Sequence, residues 1–366
     1  RSYNVTAAVG ASTATMKFRF RVYWPSAVPA ANKGVMYGWF VDNVKFVEGY
    51  ANDLELKEVY ALTGDFGATY TKFPVGQVNA TAKTEFSGIA KNIGSGTQDV
   101  ILTVTGPNSY DESGVIFPIN GFDQDSIFTP AAAAYVIPST AQAAATFTYT
   151  LTSDNNTLVN PANDVKTTPF EVTSKILAVD AYTNAASISS SFIGWANGSG
   201  NPAIGSRIEI FNNDEVGAMH IGIANISGTQ QDPYIGRVVF GQIHKLDPVS
   251  GDYLYMGQTE DHEIATADFG NIIRLYFDSP IPMTPGEYLV TAGSLAGSEV
   301  PIAFSGFVPV GQTGGWNGTT PTTLAGAEWM EGKSFLFSSG ALGWDEFLAG
   351  FYFSIPFLGF LTMHEF

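Results

Sequence analysis

The chain has 366 residues, no cysteine, 45% hydrophobic and 14% charged residues, and a formal net charge of −17. The absence of cysteine excludes disulfides, thiolate nucleophiles and cysteine-ligated metal sites. The hydrophobic content allows packed cores over a length that predicts two or three domains. The acidic charge argues against nucleic acid or anionic membranes as partners.

Apolar and polar residues alternate with a period of two from the start of the chain, which predicts strands. Block 1–50 contains two such runs, TMKFRFRVYW and VMYGWFVDNVKFVEG. Lys17, Arg19 and Arg21 share one strand face, either as a contact for an acidic partner or as a solvated face. We expect 1–50 to be the C-terminal part of a jelly-roll-like module or a strand pair docked on a neighbour.

Block 51–173 continues the alternation through DLELKEVYAL, TEFSGIAKNIGSGTQDVILTVTG and ATFTYTLTS. Its length is typical of one immunoglobulin-like β-sandwich. Block 174–366 contains GSRIEIFN, GRVVFGQIHKL, NIIRLYFD and GEYLVTAG, with a Pro/Gly turn at PMTPGEY, and predicts a larger jelly-roll-like sandwich. The predicted fold class is therefore all-β, with tandem sandwich domains.

The most apolar stretch, Phe347–Met363, contains Pro356 and many aromatic residues. These features favour a buried strand pair over a membrane-spanning helix, so no membrane insertion is expected. The opening RSYNVTAAVG lacks the basic and apolar regions of a signal peptide. We therefore expect a mature or partial product of a longer precursor.

Three segments carry a family resemblance. FVDNVKF (40–46) resembles the last strand of galactose-binding-like and MAM-like jelly rolls. The segment 86–104 resembles the middle strands of CARDB-like immunoglobulin modules, with Phe86 as core aromatic and Asn92-x-Gly94 as a turn. YTKFPVGQ (70–77) is similar to the Pro-x-x-Gln start of modules in large Bacteroidota exoproteins. The third block resembles the sandwich that precedes their type 9 secretion sorting domain.

This resemblance implies an extracellular location on the outer face of a Gram-negative outer membrane, reached with the type 9 secretion machinery. It implies a non-catalytic structural or adhesive protein, acting as a stalk or as a subunit of a cell-surface assembly. Expected partners are other cell-surface proteins, further copies of the chain, and glycans. The alternative is a set of accessory carbohydrate-binding modules of a secreted hydrolase.

Two places could hold calcium, which prefers carboxylate and carbonyl oxygens. In carbohydrate-binding jelly rolls that the chain resembles, an Asp on the closing strand can bind structural calcium, which nominates Asp42. The second place is an Asx-rich hairpin tip, and its calcium candidates are Asp154, Asn156 and Asp164. Both have a simpler interpretation, a solvated aspartate at Asp42 and an ordinary Asx turn at the tip.

Trp195 and Trp316 lie in Gly- and Asn-rich segments, which predicts loops where an indole could stack on a sugar or tuck beneath its own loop. Asp125-Ser126-Ile127 matches a Bacteroidota O-glycosylation pattern, which nominates Ser126. Histidines and carboxylates lie together in the sequence at Asp261–Glu263, and further histidines are His220 and His244. Their spacing is not that of a metal or hydrolytic site. We therefore expect no catalytic residues.

Overall fold

The computed structural model describes residues 51–64, 67–154, 158, 160–179, 202–251, 253–295 and 300–305, and further strand segments given below. Block 1–50 lies outside the described residues, so its predicted strands and the basic group of Lys17, Arg19 and Arg21 stay predictions. The predicted all-β fold is confirmed: the described elements are strands joined by turns. Short 3₁₀ turns lie at Val75–Gln77, Pro107–Ser109, Ala131–Ala133, Pro161–Asn163, Gly228–Gln230 and Thr266–Asp268.

The strands are numbered in chain order. Strands β1 to β12 are Leu54–Thr63, Ala68–Thr69, Lys72–Pro74, Lys83–Asn92, Gln98–Gly106, Tyr110–Ser113, Phe117–Ile119, Gln124–Phe128, Tyr135–Val136, Gln142–Ser153, Val165–Thr173 and Ile176–Ala178. Strands β13 to β26 are Phe192–Ile193, Pro202–Ile210, Asp214–Gly222, Val238–Leu246, Tyr253–Gln258, His262–Glu263, Ile272–Met283, Gly286–Ser294, Ile302–Ser305, Thr313–Asn317, Phe335–Phe337, Trp344–Glu346, Ile355–Pro356 and Phe360–Met363.

The first sandwich packs two sheets around an aromatic core. One sheet has the order β2-β1-β4-β8, with β9 beside β4, and the facing strands have the order β3-β11-β10-β5-β6, with β7 beside β5. Period-two alternation directs Phe86 of β4 and Phe147 of β10 inward, and their ring centroids lie 4.6 Å apart. Both side chains are buried, so Phe86 is the core aromatic that the sequence predicts.

The second sandwich faces the sheet β17-β16-β20-β14-β22 with the strands β19, β15 and β26. Close packing of the two layers is visible at Gly241 on β16. A Cβ added to this glycine would lie 2.6 Å from the sulfur of Met219 on β15. Gly286 begins β20 with φ 141°, so the glycine of the predicted PMTPGEY turn adopts the positive φ that it alone tolerates easily.

One sheet continues through both sandwiches. Its order, β19-β15-β26-β12-β3-β11-β10-β5-β6, places strands on both sides of the predicted boundary at 173/174 in the same ten-stranded sheet. Within Phe347–Met363, β25 pairs with β21 while β26 pairs with β12 and β15. The stretch therefore contains two strands, as expected, but each pairs with distant strands and not with the other. Among the residues described, no helix has the length and apolar character needed to cross a membrane.

Candidate functional site

An oxygen-rich pocket lies at the N-terminal end of β1. Asp53 directly precedes β1, and Asp164 lies between the 3₁₀ turn Pro161–Asn163 and β11. Each aspartate is 1% exposed. The backbone N–H of Asn160 donates to Oδ1 of Asp53 at 3.3 Å, which ties the two chain segments together. We call Asp53, Asn163 and Asp164 the acidic pocket.

The Asn-x-Gly turn after β4 positions Asp53. The Asn92 side chain is buried, and its Oδ1 accepts the Gly94 N–H at 3.0 Å while its Nδ2 donates to the Ile119 carbonyl at 2.9 Å. The N–H groups of Ile93 and Gly94 then donate to the Asp53 carbonyl at 3.0 and 3.1 Å. The turn that the sequence predicts thus fixes the backbone from which the Asp53 carboxylate projects.

Burial disfavours the charged form of both carboxylates in the acidic pocket. Both carboxylate oxygens of Asp164 and Oδ1 of Asn163 are buried without a hydrogen-bond partner. Burial raises the pKa of Asp164, and the charge of Asp53 raises it further, to about 7. Burial is also the largest cause of the raised pKa of Asp53. The pocket therefore concentrates negative charge that no side chain of the described residues neutralises by a salt bridge.

A second polar constellation joins the two sandwiches, and we call it the Gln77 junction. Gln77 follows Pro74 in the PVGQ segment and is fully buried. Its Oε1 accepts the N–H groups of Phe211 and Asn212 at 2.8 and 3.1 Å, and its Nε2 donates to Oδ2 of Asp214 at 2.8 Å. One side chain of the first sandwich therefore contacts two residues of the turn between β14 and β15 and the first residue of β15.

Neighbouring side chains extend the Gln77 junction. Asn79 donates to the carbonyl of Phe211 at 2.8 Å, and Asn212 donates to the carbonyl of Gly76 at 2.8 Å. Tyr70 accepts the N–H of Glu209 at 2.7 Å, and burial strongly raises the pKa of its phenol. Reciprocal bonds of this kind fix both the distance and the orientation of the two sandwiches.

The structure describes two of the four residues that the sequence nominates as calcium ligands. Asp164 lies in the acidic pocket, whereas Asp154 is exposed and its backbone N–H donates to the carbonyl of Asp99 at 2.8 Å. Asn156 and Asp42 lie outside the described residues. Sequence reasoning missed Asp53, because no local motif marks it and only the packing of β1 against the Asx-rich segment brings it to Asp164.

Of the two tryptophans predicted to bind ligand, the structure describes the backbone of Trp316 alone, so ligand binding at both stays a prediction. Trp195 lies outside the described residues. Trp316 lies in strand β22, where its backbone pairs with Ala203 of β14, so the expectation that it occupies a loop was wrong. The run Thr313–Asn317 is extended because it adds an edge strand to the sheet. Glycine-rich composition suggested a loop but is also compatible with an edge strand.

Ser126 is exposed on β8, the strand at one edge of its sheet. Its backbone N–H donates to Oδ1 of Asp125 at 2.7 Å, while Ile127 is buried. The hydroxyl is therefore accessible from solvent. Glycosylation of Ser126 stays a prediction.

The histidines lie in separate surroundings. His220 on β15 pairs with Arg274 across the ladder, and His244 lies buried on β16 in the other sheet. The His262 ring contacts Asp268 at 2.8 Å, and the same carboxylate oxygen accepts the N–H of Ala265, so this pair closes a turn. Over the part of the chain that the structure describes, no three His, Cys, Asp or Glu side chains converge as metal ligands.

No protein-family model matches this chain, and no curated protein matches it. Among solved structures, it is similar to a Streptomyces avermitilis α-L-rhamnosidase complexed with L-rhamnose, at 9% identity and a TM-score of 0.19. The match covers 69% of this chain and 23% of the rhamnosidase chain. The chain thus spans less than a quarter of that enzyme.

Proposed function

We propose that this chain is a non-catalytic extracellular protein in which two β-sandwiches act as one rigid unit, serving as a stalk or as a subunit of a cell-surface assembly. The observation that carries the proposal is the Gln77 junction, reinforced by the sheet that runs through both sandwiches. Domains joined by a linker alone move relative to each other by default. A spacer needs domains that keep a fixed relative orientation. A shared sheet and a buried polar network both favour such a fixed orientation.

The polar character of the junction matters for this argument. An apolar interface tolerates sliding, whereas buried amide groups are satisfied in one arrangement and costly in others. A rotation that separated Gln77 from the backbone of Phe211 and Asn212 would leave buried donors without acceptors. The junction therefore favours a single relative orientation of the two sandwiches.

Buried charge in the second sandwich also supports a structural role. Nε of Arg207 contacts Oε1 of Glu287 at 2.6 Å, and the Tyr253 hydroxyl donates to the same carboxylate. Arg207 is 9% exposed and Tyr253 is 3% exposed. These groups satisfy one another within the sheet, as in a packed scaffold, and do not converge on an open cleft.

Rigidity can be tested by distance measurement between two spin labels. The chain has no cysteine, so Ser139→Cys in the first sandwich and Val249→Cys in the second give two unique, exposed labelling sites. We expect a single narrow distance distribution from pulsed electron paramagnetic resonance, and a broader one after adding Gln77→Ala. A broad distribution in the otherwise unchanged protein would contradict the rigid-unit proposal.

The functional part of the proposal has its own test. Purified protein should release no sugar or peptide from a panel of polysaccharides, glycosides and proteins. It should associate with itself in sedimentation experiments, or be retained on cell surfaces. Reproducible hydrolysis that is lost on substitution of a specific carboxylate would overturn the non-catalytic proposal, and a strictly monomeric protein that binds no surface would overturn the adhesive one.

A further inference from the structure

The acidic pocket contains more acceptor oxygens than the described residues can satisfy. Both carboxylate oxygens of Asp164 and the side-chain oxygen of Asn163 are buried and unpartnered. The Asp53 carboxylate accepts a long hydrogen bond from the backbone N–H of Asn160 at 3.3 Å and a further one from the backbone of Leu54. Leaving a buried carboxylate without a partner is among the costliest arrangements in a protein interior. Something outside the side chains described here must offset that cost.

A proton alone satisfies this pocket incompletely. Protonation of Asp164 would remove one charge and create one donor. The pocket would still contain the Asp53 carboxylate, the second oxygen of Asp164 and the oxygen of Asn163, and the new O–H could satisfy only one of these acceptors. A cation bound among these oxygens would offset the charge of both carboxylates, so it accounts for the arrangement more completely.

We infer that Asp53, Asn163 and Asp164 are side-chain ligands of a calcium ion. All the donors are oxygens, from two carboxylate groups and one amide. Hard cations such as calcium prefer oxygen ligands, whereas zinc and copper prefer sites that include nitrogen or sulfur. Calcium accepts an irregular shell of six to eight oxygens, which turn carbonyls and waters can complete. Magnesium requires a near-ideal octahedron and is therefore disfavoured at a pocket built from a loop and a strand start.

The ion would have a defined structural role. Asp53 immediately precedes β1, and Asn163 and Asp164 belong to the connection between β10 and β11. A shared ion would therefore fix the point where the chain enters the first sandwich to the connection between two core strands. The pocket lies at the start of β1, whereas Gly64, after its end, lies beside Phe211 near the Gln77 junction. Calcium would thus stabilise the end of the first sandwich remote from the second.

Isothermal titration of metal-stripped full chain with calcium chloride tests this assignment. We expect one calcium per chain, with an affinity in the micromolar to millimolar range typical of sensor and extracellular sites. Asp164→Asn and Asp53→Asn should each weaken binding at least tenfold, because each removes a charged ligand while keeping its shape. Asp154→Asn is the matched control, since this exposed carboxylate lies in the same Asx-rich segment and should leave affinity unchanged.

A thermal-unfolding series separates ligand loss from misfolding. Calcium should raise the unfolding midpoint of the unchanged protein and of Asp154→Asn, but not that of Asp164→Asn. The Asp164→Asn protein without metal should be at least as stable as the unchanged protein at pH 8, because a neutral amide replaces a buried charge. No binding up to about 10 mM calcium, undiminished binding by Asp164→Asn, or magnesium binding as tight as calcium would each overturn the inference.

Discussion

At the scale of single residues, burial shifts the pKa values of two histidines far enough to make stability depend on pH. His244 is fully buried on β16, and its ring centroid lies 5.7 Å from that of Tyr255 on the neighbouring strand. Burial lowers the pKa of His244 from 6.5 to about 4, with a hydrogen bond involving Leu289 acting in the opposite direction. The pKa of His220 is lowered to about 4 as well, first by burial and then by the charge of Arg274. Both rings are therefore neutral in the folded protein at pH 7.

These histidines predict a loss of stability in acid. The unfolded chain takes up a proton on each histidine near pH 6.5, while the folded protein resists it until about pH 4. The stability that these two neutral histidines contribute is thus fully present above pH 6.5 and is lost as the pH falls toward 4. A shift of this size corresponds to about 3 kcal/mol per histidine.

His244→Gln should flatten this dependence. Urea unfolding at several pH values between 6.5 and 4 measures it, and the difference in slope between variant and unchanged protein is the readout. A variant that loses stability with the same slope would show that His244 is protonated equally well in both states.

At the scale of elements, close approach between loops determines where the acidic pocket forms. Gly94 lies in the Asn92-x-Gly94 turn against the segment that leads into β1. A Cβ added at Gly94 would lie 2.6 Å from the carbonyl oxygen of Ala51 and 2.8 Å from the N–H nitrogen of Asp53. Both are backbone atoms, which cannot rotate away. The absence of a side chain at Gly94 therefore lets this turn pack directly against the backbone that leads into β1.

Gly94→Ala should destabilise the first sandwich by about 1–3 kcal/mol, the usual cost of overpacking a closed contact. Gly96→Ala is a suitable comparison in the same loop, because its nearest contact is 3.3 Å from the added Cβ. Chemical denaturation of both variants measures the difference. Equal losses, or none, would indicate that the loop shifts readily and does not position Asp53.

At the scale of the whole molecule, the two sandwiches share structure in two ways. The ten-stranded sheet passes from one to the other, and Gln77 bonds to the turn between β14 and β15. The buried apolar cluster is also continuous across them. Phe73 of the first sandwich and Phe211 of the second have ring centroids 5.5 Å apart. Unfolding of one sandwich therefore exposes core surface of the other.

This continuity predicts one cooperative unfolding transition that depends on Gln77. Gln77→Ala leaves the buried N–H of Phe211 without its acceptor, and we expect a loss of roughly 2–4 kcal/mol together with broadening or splitting of the transition. Differential scanning calorimetry follows both effects. Gln124→Ala, at an exposed position on β8, should change neither, and an unaltered single transition in Gln77→Ala would contradict the coupling.

The sequence by itself determined the all-β class, most strand positions within 51–294, the core position of Phe86 and the Asn92-x-Gly94 turn. The fold class and the strands follow from alternation, which acts between residues close in the chain, whereas Phe86 and the turn were expected from the family resemblance. The sequence also pointed to Asp164, because an Asx-rich segment is a local feature. Calcium binding, extracellular location and the adhesive role stay predictions.

Only the tertiary structure decided which distant segments meet. It brought Asp53 to Asp164, placed Trp316 in an edge strand, inserted β26 between β12 and β15, and joined Gln77 to the turn after β14. Each of these depends on strand order and register, which are set by the packing of complete sheets. Local spacing predicts that a segment is a strand, but it does not specify the neighbour with which that strand pairs.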